Sequence, residues 1–135
     1  MAASPESVER ATAILRDGGI VAVPTETVYG LAANAASAAG VAAIYRAKGR
    51  PDFNPLIVHV PDIAAVEKIA SPDIRARKLA ERFWPGPLTM VLPLKEGAAI
   101  AGAVTAGLPT IALRCPAHPV MRALLQESGL FLAAP

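Results

Sequence analysis

The apolar residues of this chain fall into short runs that predict β-strands. Each run is four or five residues long, is rich in Val, Ile and Leu, and is bounded by Gly, Pro or polar residues. A run that is apolar on both faces, such as Ile20–Val23, is typical of a strand buried on both sides. The predicted strands are Ile20–Val23, Leu56–Val60, Leu88–Leu92, Thr110–Arg114 and Leu130–Ala133.

The intervals between these runs have the apolar spacing of helices. A first helix starts after Ser4, which with Pro5 forms an N-cap and first-turn pair, and it ends at Gly18. Ser37, Asp62, Ser71 to Asp73 and His118 mark the starts of the later helices. In the helix after Asp73, Ile74, Leu79 and Phe83 are expected to line one face. Helices that alternate with apolar strands predict a single α/β sheet domain over residues 1–135.

Polar residues lie where the predicted strands end. Thr25, Glu26 and Thr27 follow the first strand, His59 lies in the second, and Arg114 ends another. In an open α/β sheet, ligands bind outside the carboxyl ends of the strands. These residues are therefore expected to gather at one edge of the sheet.

The segment between the second helix and the second strand contains two cations and an amide. Lys48, Arg50 and Asn54 lie within seven residues, among Gly49 and two prolines that limit the freedom of the segment. Such a loop is suited to gripping a polyphosphate or a carboxylate. The alternative is that Lys48 and Arg50 are solvated cations favoured by the dipole at a helix end.

His59 and Arg114 each have two interpretations. A single His in an apolar strand is more often a hydrogen-bonded core residue than a ligand. A cation that ends an apolar strand either extends to solvent or pairs with an anion. An anionic substrate would serve as that partner for Arg114.

Composition and charge narrow the class of protein. The 135 residues are 53% hydrophobic with a formal net charge of +2, which favours a globular protein with a mixed surface over a strongly basic nucleic-acid binder. The single cysteine, Cys115, forms no disulfide within the chain, and no basic amino-terminal leader or membrane-length apolar run occurs, so a cytoplasmic location is expected. No metal site is predicted. Neither a Walker-type phosphate loop nor a dinucleotide-binding motif is present.

Two weaker constellations remain. Cys115 and His118 are three residues apart, the spacing of a thiol nucleophile or metal pair, but Pro116 intervenes and no third partner is visible. Trp84, followed by Pro85, Gly86 and Pro87, resembles a binding platform, although an aromatic residue at a helix end usually serves packing.

The longer motifs of the chain resemble those of the YrdC-like family, in the family's order and spacing, over nearly the whole chain from Gly18 onward. The motifs are PTETVYGL (24–31), KGRPDFNPLIVHV (48–60), FWPGPLT (83–89) and TIALRCPAHP (110–119). The resemblance implies a twisted mixed sheet flanked by helices and an L-threonylcarbamoyladenylate synthase. Such an enzyme uses L-threonine, bicarbonate and ATP, releases pyrophosphate, and serves the N6-threonylcarbamoyladenosine modification of tRNA.

The resemblance also implies roles for individual residues. Lys48 and Arg50 would be the catalytic cations and would hold the nucleotide phosphates. Asn54 and Thr110 would join them on the nucleotide side, with Mg²⁺ accompanying ATP. The residues implied to hold L-threonine are Thr27, His59, Arg114 and the backbone near Ala134.

The resemblance has one departure and two alternatives. Family members continue with Ser-Ala-Asn after a segment like residues 132–135, so the chain is expected to cover the amino-terminal two-thirds of the domain. One alternative function is a related carbamoyl-adenylate-forming domain. The other is a non-catalytic module that binds double-stranded RNA. Expected partners are the substrates, the tRNA threonylcarbamoyl-transfer machinery and double-stranded RNA or tRNA, with no membrane.

Overall fold

The computed structural model describes residues 4–24, 29–49 and 55–135. They form one mixed sheet flanked by helices. The helices are α1 Pro5–Arg16, α2 Ala38–Lys48, α3 Ile63–Val66, α4 Ile74–Phe83 and α5 Pro119–Ser128, with a short 3₁₀ helix at Gly102–Val104. The strands are β1 Ile20–Pro24, β2 Tyr29–Asn34, β3 Ile57–His59, β4 Thr89–Pro93, β5 Thr110–Arg114 and β6 Leu132–Ala134. Among these described helices, none is both long and apolar enough to cross a bilayer.

The spatial order of the strands is β1-β2-β6-β3-β5-β4. Of the described strand pairs, only β3 and β5 are parallel, and every other neighbouring pair is antiparallel. The mixed sheet with flanking helices confirms the predicted fold class.

Side-chain caps begin the helices as the sequence predicts. Ser4 and Ser7 form a reciprocal capping box at α1, and Ser37 Oγ accepts from the Gly40 N–H. His118 Nδ1 accepts from the Val120 N–H at 3.2 Å at the start of α5. Each cap satisfies a backbone donor that has no partner inside its helix.

The core lies on both faces of the sheet. On the first face, Val58, Ile111 and Leu113 point into a cluster shared with α2 and the segments around α3 and α4. On the second face, α1 and α5 cover the side of the sheet formed by β1, β2 and β6, where Leu15 and Leu124 meet Leu132. Because successive residues of a strand point to opposite faces, these clusters also define which residues share each face.

Two expectations about the elements are wrong. β2 was not predicted, because Tyr-Gly-Leu-Ala-Ala-Asn has little intrinsic strand preference; pairing with β1 and β6 on its two sides holds it in the sheet. On α4, Ile74, Leu79 and Phe83 do not line a buried face and are 66%, 42% and 48% exposed. The small residues Ala76 and Ala80 are buried instead.

Candidate functional site

Four of the predicted site residues lie on the second face of the sheet. His59 on β3 is the register partner of Arg114 on the parallel strand β5. Thr110 lies four residues before Arg114 on the same strand, and Ala134 on β6 is paired with Ile57, two residues before His59. Since residues two or four apart on a strand share a face, all four lie on one side of the sheet.

Arg114 is half-buried, and a side chain on the neighbouring strand contacts it. Its Nε–H donates to Thr89 Oγ1 at 2.8 Å. Thr89 is the register partner of Arg114 on β4, so the hydrogen bond runs directly across the strand pair. The two terminal nitrogens of the guanidinium have no hydrogen-bond partner among the described residues, so they are available to an anion.

The turn before β4 is attached to the end of β5 beside Arg114. The Trp84 indole N–H donates to the Leu88 carbonyl at 2.9 Å, and the Gly86 N–H donates to the Cys115 carbonyl at 2.9 Å. A side chain at position 86 would place its Cβ 2.5 Å from the Phe83 carbonyl oxygen, so only glycine fits this turn. The turn thereby holds the start of β4, and with it Thr89, next to Arg114.

His59 is only 4% exposed and lies between Arg114 on β5 and Leu132 on β6. Its burial agrees with the interpretation of a core histidine. Its register position beside Arg114 agrees equally with a histidine that contacts a ligand.

Described residues on both sides of segment 50–54 form hydrogen bonds with the short 3₁₀ helix. The Tyr45 hydroxyl of α2 donates to the Ala103 carbonyl at 2.8 Å, and the Leu56 N–H donates to the Val104 carbonyl at 2.9 Å. Lys48 is the last residue of α2, and Gly49 ends the helix in the left-handed conformation with φ of 60°. The predicted site residues Arg50, Asn54 and Thr27 lie outside the residues that the structure describes.

The sheet separates the predicted residues into two levels. Thr110 begins β5, at the edge where the chain enters β3 from residue 55, whereas His59 and Arg114 lie at the carboxyl ends of their strands. At a rise of about 3.3 Å per residue, Thr110 and Arg114 are roughly 13 Å apart. Ala134 lies between these levels, opposite Ile57.

The expectation that all the polar strand ends meet at one edge is wrong. β1 runs antiparallel to β2, and β2 and β3 each run antiparallel to β6, so β1 and β3 run in opposite directions. Pro24, the last residue of β1, therefore lies at the edge opposite His59 and Arg114. The rule for parallel sheets does not extend to a sheet with this mixture of directions.

The weaker constellations have structural roles. Cys115 is buried and its thiol donates to the Pro61 carbonyl at 3.3 Å; burial raises the pKa of the thiol, which Arg122 only partly opposes. His118 caps α5, and the half-buried Trp84 packs against the core. Among the described residues, no three His, Cys, Asp or Glu side chains come together as a metal-binding group.

Sequence reasoning missed Thr89. The residue ends the predicted motif Phe83–Thr89, but a threonine in a strand is ordinary, and nothing in the motif indicates the residue across from it. The signal becomes readable only once β4 and β5 are known to pair with Thr89 opposite Arg114.

Comparison with known proteins identifies the family of the chain. The Sua5/YciO/YrdC family model, described as "telomere recombination", matches residues 13–135. The chain belongs to this family. It is similar to the Bacillus subtilis protein named threonylcarbamoyl-AMP synthase, with 53% identity over 95% of this chain and 37% of that protein. The Pyrococcus abyssi protein of the same name is 47% identical over 93% of this chain and 36% of that protein.

Solved structures of the family have the same fold. The structure of Pyrococcus abyssi Sua5 complexed with L-threonine superposes with a TM-score of 0.93 and 43% identity, covering 100% of this chain and 39% of that one. The chain thus spans somewhat more than a third of the length of these Sua5/YciO/YrdC relatives.

Proposed function

We propose that this chain carries the substrate-binding face of an L-threonylcarbamoyl-AMP synthase. The reaction forms threonylcarbamoyl-AMP and pyrophosphate from L-threonine, bicarbonate and ATP. The relatives' shared name and the L-threonine complex of Pyrococcus abyssi Sua5 support the proposal. The observation that carries it is the position of His59 beside Arg114 on one face of the sheet.

L-Threonine is the ligand that suits the carboxyl ends of β3 and β5, where His59 and Arg114 lie. The terminal nitrogens of Arg114, which have no hydrogen-bond partner in the described part of the chain, form a fork that matches a carboxylate. A half-buried guanidinium also gains more from an anion than one in bulk water. His59 would add a hydrogen bond beside it. The backbone at Ala134, two residues along β6 from the partner of His59, would hold the other end of the amino acid. Thr27 follows β1, whose last residue lies at the opposite edge of the sheet, and is proposed to bind L-threonine from that side.

The nucleotide is assigned to the level of Thr110 and the end of α2. Lys48, Arg50 and Asn54 would bind the phosphates of ATP, with Thr110 beside them. The separation of roughly 13 Å from Arg114 leaves room for an amino acid and a nucleotide to lie along the same face, joined where they react. Mg²⁺ would enter bound to the phosphates of ATP.

The chemistry requires charge neutralisation more than a protein nucleophile. The nitrogen of L-threonine forms a bond to the carbon of bicarbonate with loss of water, which gives an anionic carbamate. A carbamate oxygen then bonds to the α-phosphorus of ATP as the bond to pyrophosphate breaks. Because two anions must approach each other, Lys48 and Arg50 are proposed as the catalytic cations that stabilise the transition state and align the reactants.

The product would pass to the enzymes that modify tRNA. Threonylcarbamoyl-AMP is a mixed anhydride and an activated acyl donor, so a cytoplasmic location close to the threonylcarbamoyl-transfer machinery and its tRNA is part of the proposal. The related carbamoyl-adenylate domain and the double-stranded RNA module are not favoured, since the relatives share the synthase name.

Pyrophosphate release tests the proposal. The 135-residue protein is incubated with ATP, Mg²⁺, bicarbonate and L-threonine, and pyrophosphate is measured against reactions that lack L-threonine or bicarbonate. We expect release that depends on both. L-Threonine binding to the same protein is measured by calorimetry, so that a protein that binds but does not turn over is recognised. No binding and no release would refute the proposal for this chain.

A further inference from the structure

On the second face of the sheet, Thr89 of the edge strand β4 makes a polar contact with Arg114. The hydroxyl of Thr89 accepts the Nε–H of Arg114 at 2.8 Å, and both side chains are half-buried. Among the described strands, β4 is the last of the sheet and pairs only with β5. Thr89 therefore reaches Arg114 from the outer side, while His59 lies on its inner side.

This contact limits the orientations available to the guanidinium. A guanidinium is planar, with Nε–H on one edge and the terminal nitrogens forming a fork at the other end. A hydrogen bond at Nε fixes the rotation of that plane and leaves both terminal nitrogens available. An arginine without the contact would sample several rotamers and lose more side-chain entropy when it binds a carboxylate.

We propose that Thr89 is a positioning residue that holds Arg114 in the orientation that binds the carboxylate of L-threonine. This inference rests on the proposed function. Thr89 acts through Arg114 and does not contact the substrate. The expected effect is therefore confined to the amino-acid side of the reaction.

The test compares two substitutions at one position. Thr89→Val keeps the shape and removes the hydroxyl, whereas Thr89→Ser keeps the hydroxyl. We expect Thr89→Val to raise the KM and the Kd for L-threonine about tenfold, the cost of one lost hydrogen bond to a charged group, with the KM for ATP within about twofold. Thr89→Ser should keep the KM and the Kd for L-threonine within about threefold of those of the original protein.

A double-mutant cycle tests whether Thr89 acts through Arg114. Lysine lacks the Nε–H of arginine, so Thr89→Val should have little further effect when combined with Arg114→Lys. The Arg114 Nε–H signal in a nitrogen–proton correlation spectrum reports the contact itself, and it should shift in Thr89→Val while circular dichroism is unchanged.

The outcomes distinguish the two hypotheses. If the unaltered protein binds L-threonine but Thr89→Val binds it equally well, or raises the KM for ATP by the same factor, the positioning role is refuted and the proposed function stands. An equal loss in the Arg114→Lys background also refutes it. If the unaltered protein neither binds nor uses L-threonine, the proposed function fails and the positioning role fails with it.

Discussion

His59 and Arg114 lie side by side at the carboxyl ends of the two parallel strands, β3 and β5. They are 55 positions apart in the sequence. Their side chains share the second face because register partners point the same way from the sheet. The pair places an imidazole beside a guanidinium whose terminal nitrogens have no hydrogen-bond partner among the described residues, which favours an anion site there.

Removal of Arg114 should weaken L-threonine binding selectively. Arg114→Ala is expected to raise the Kd for L-threonine about a hundredfold, because the substrate carboxylate would lose a partly buried charge partner. Calorimetric titration with L-threonine measures the change. Arg122→Ala is the matched control, since Arg122 is also half-buried but contacts the Pro116 carbonyl and Cys115. An equal loss in both variants would show that general destabilisation is responsible.

Lys48 and Arg50 should affect turnover more than stability. Each alanine substitution is expected to lower kcat/KM for ATP by a factor of about one hundred to one thousand, the range seen when one electrostatic stabiliser of a transition state is removed. Pyrophosphate release gives the rate, and thermal unfolding followed by circular dichroism checks the fold. Unfolding of either variant at the assay temperature would favour the alternative that these cations are structural.

Thr12 is a polar residue whose burial in the core is destabilising. It is 5% exposed, and its hydroxyl oxygen has no hydrogen-bond partner among the described residues. Thr12→Val should therefore raise the free energy of unfolding by about 1 kcal/mol. Thr105→Val is the control, because the Thr105 hydroxyl donates to the Gly102 carbonyl at 3.3 Å and its loss should be destabilising. Urea unfolding of both variants measures the change in the free energy of unfolding, which should be an increase for Thr12→Val and a decrease for Thr105→Val.

The acid sensitivity of the protein should depend in part on Asp73. The Ala76 N–H at the start of α4, and then Arg75, lower the pKa of the Asp73 carboxyl below its ordinary value of 3.8. A lowered folded-state pKa gives stability that is present above the ordinary pKa and is lost as pH falls through the folded-state value. Asp73→Asn keeps a capping oxygen without the charge, so its melting temperature should fall less between about pH 4 and about pH 2. If the melting temperatures of both proteins fall by the same amount over this pH range, the Asp73 carboxylate is not the cause.

The individual elements were largely predictable from local chemistry. β5 begins and ends where the apolar run predicts, and α1, α2 and α5 begin at the predicted caps Ser4, Ser37 and His118. Strand and helix periods, Gly and Pro boundaries and N-caps all act over a few residues, so the sequence carries them directly. His59 and Arg114 stand out by residue type, whereas Thr110 and Ala134 are predicted as site residues only by the family resemblance, and the substrate roles of all four remain proposals.

The sequence by itself determined which apolar runs form strands, where most elements begin and end, and the family. The tertiary structure alone decided that β2 is a strand, that β1 and β3 run in opposite directions, and that Thr89 lies across from Arg114. The physical reason is that an apolar pattern encodes the period and the face of an element but neither its direction nor its neighbour. Those depend on pairing between residues distant in sequence, and the hydrogen bond between Thr89 and Arg114 exists only once that pairing has formed.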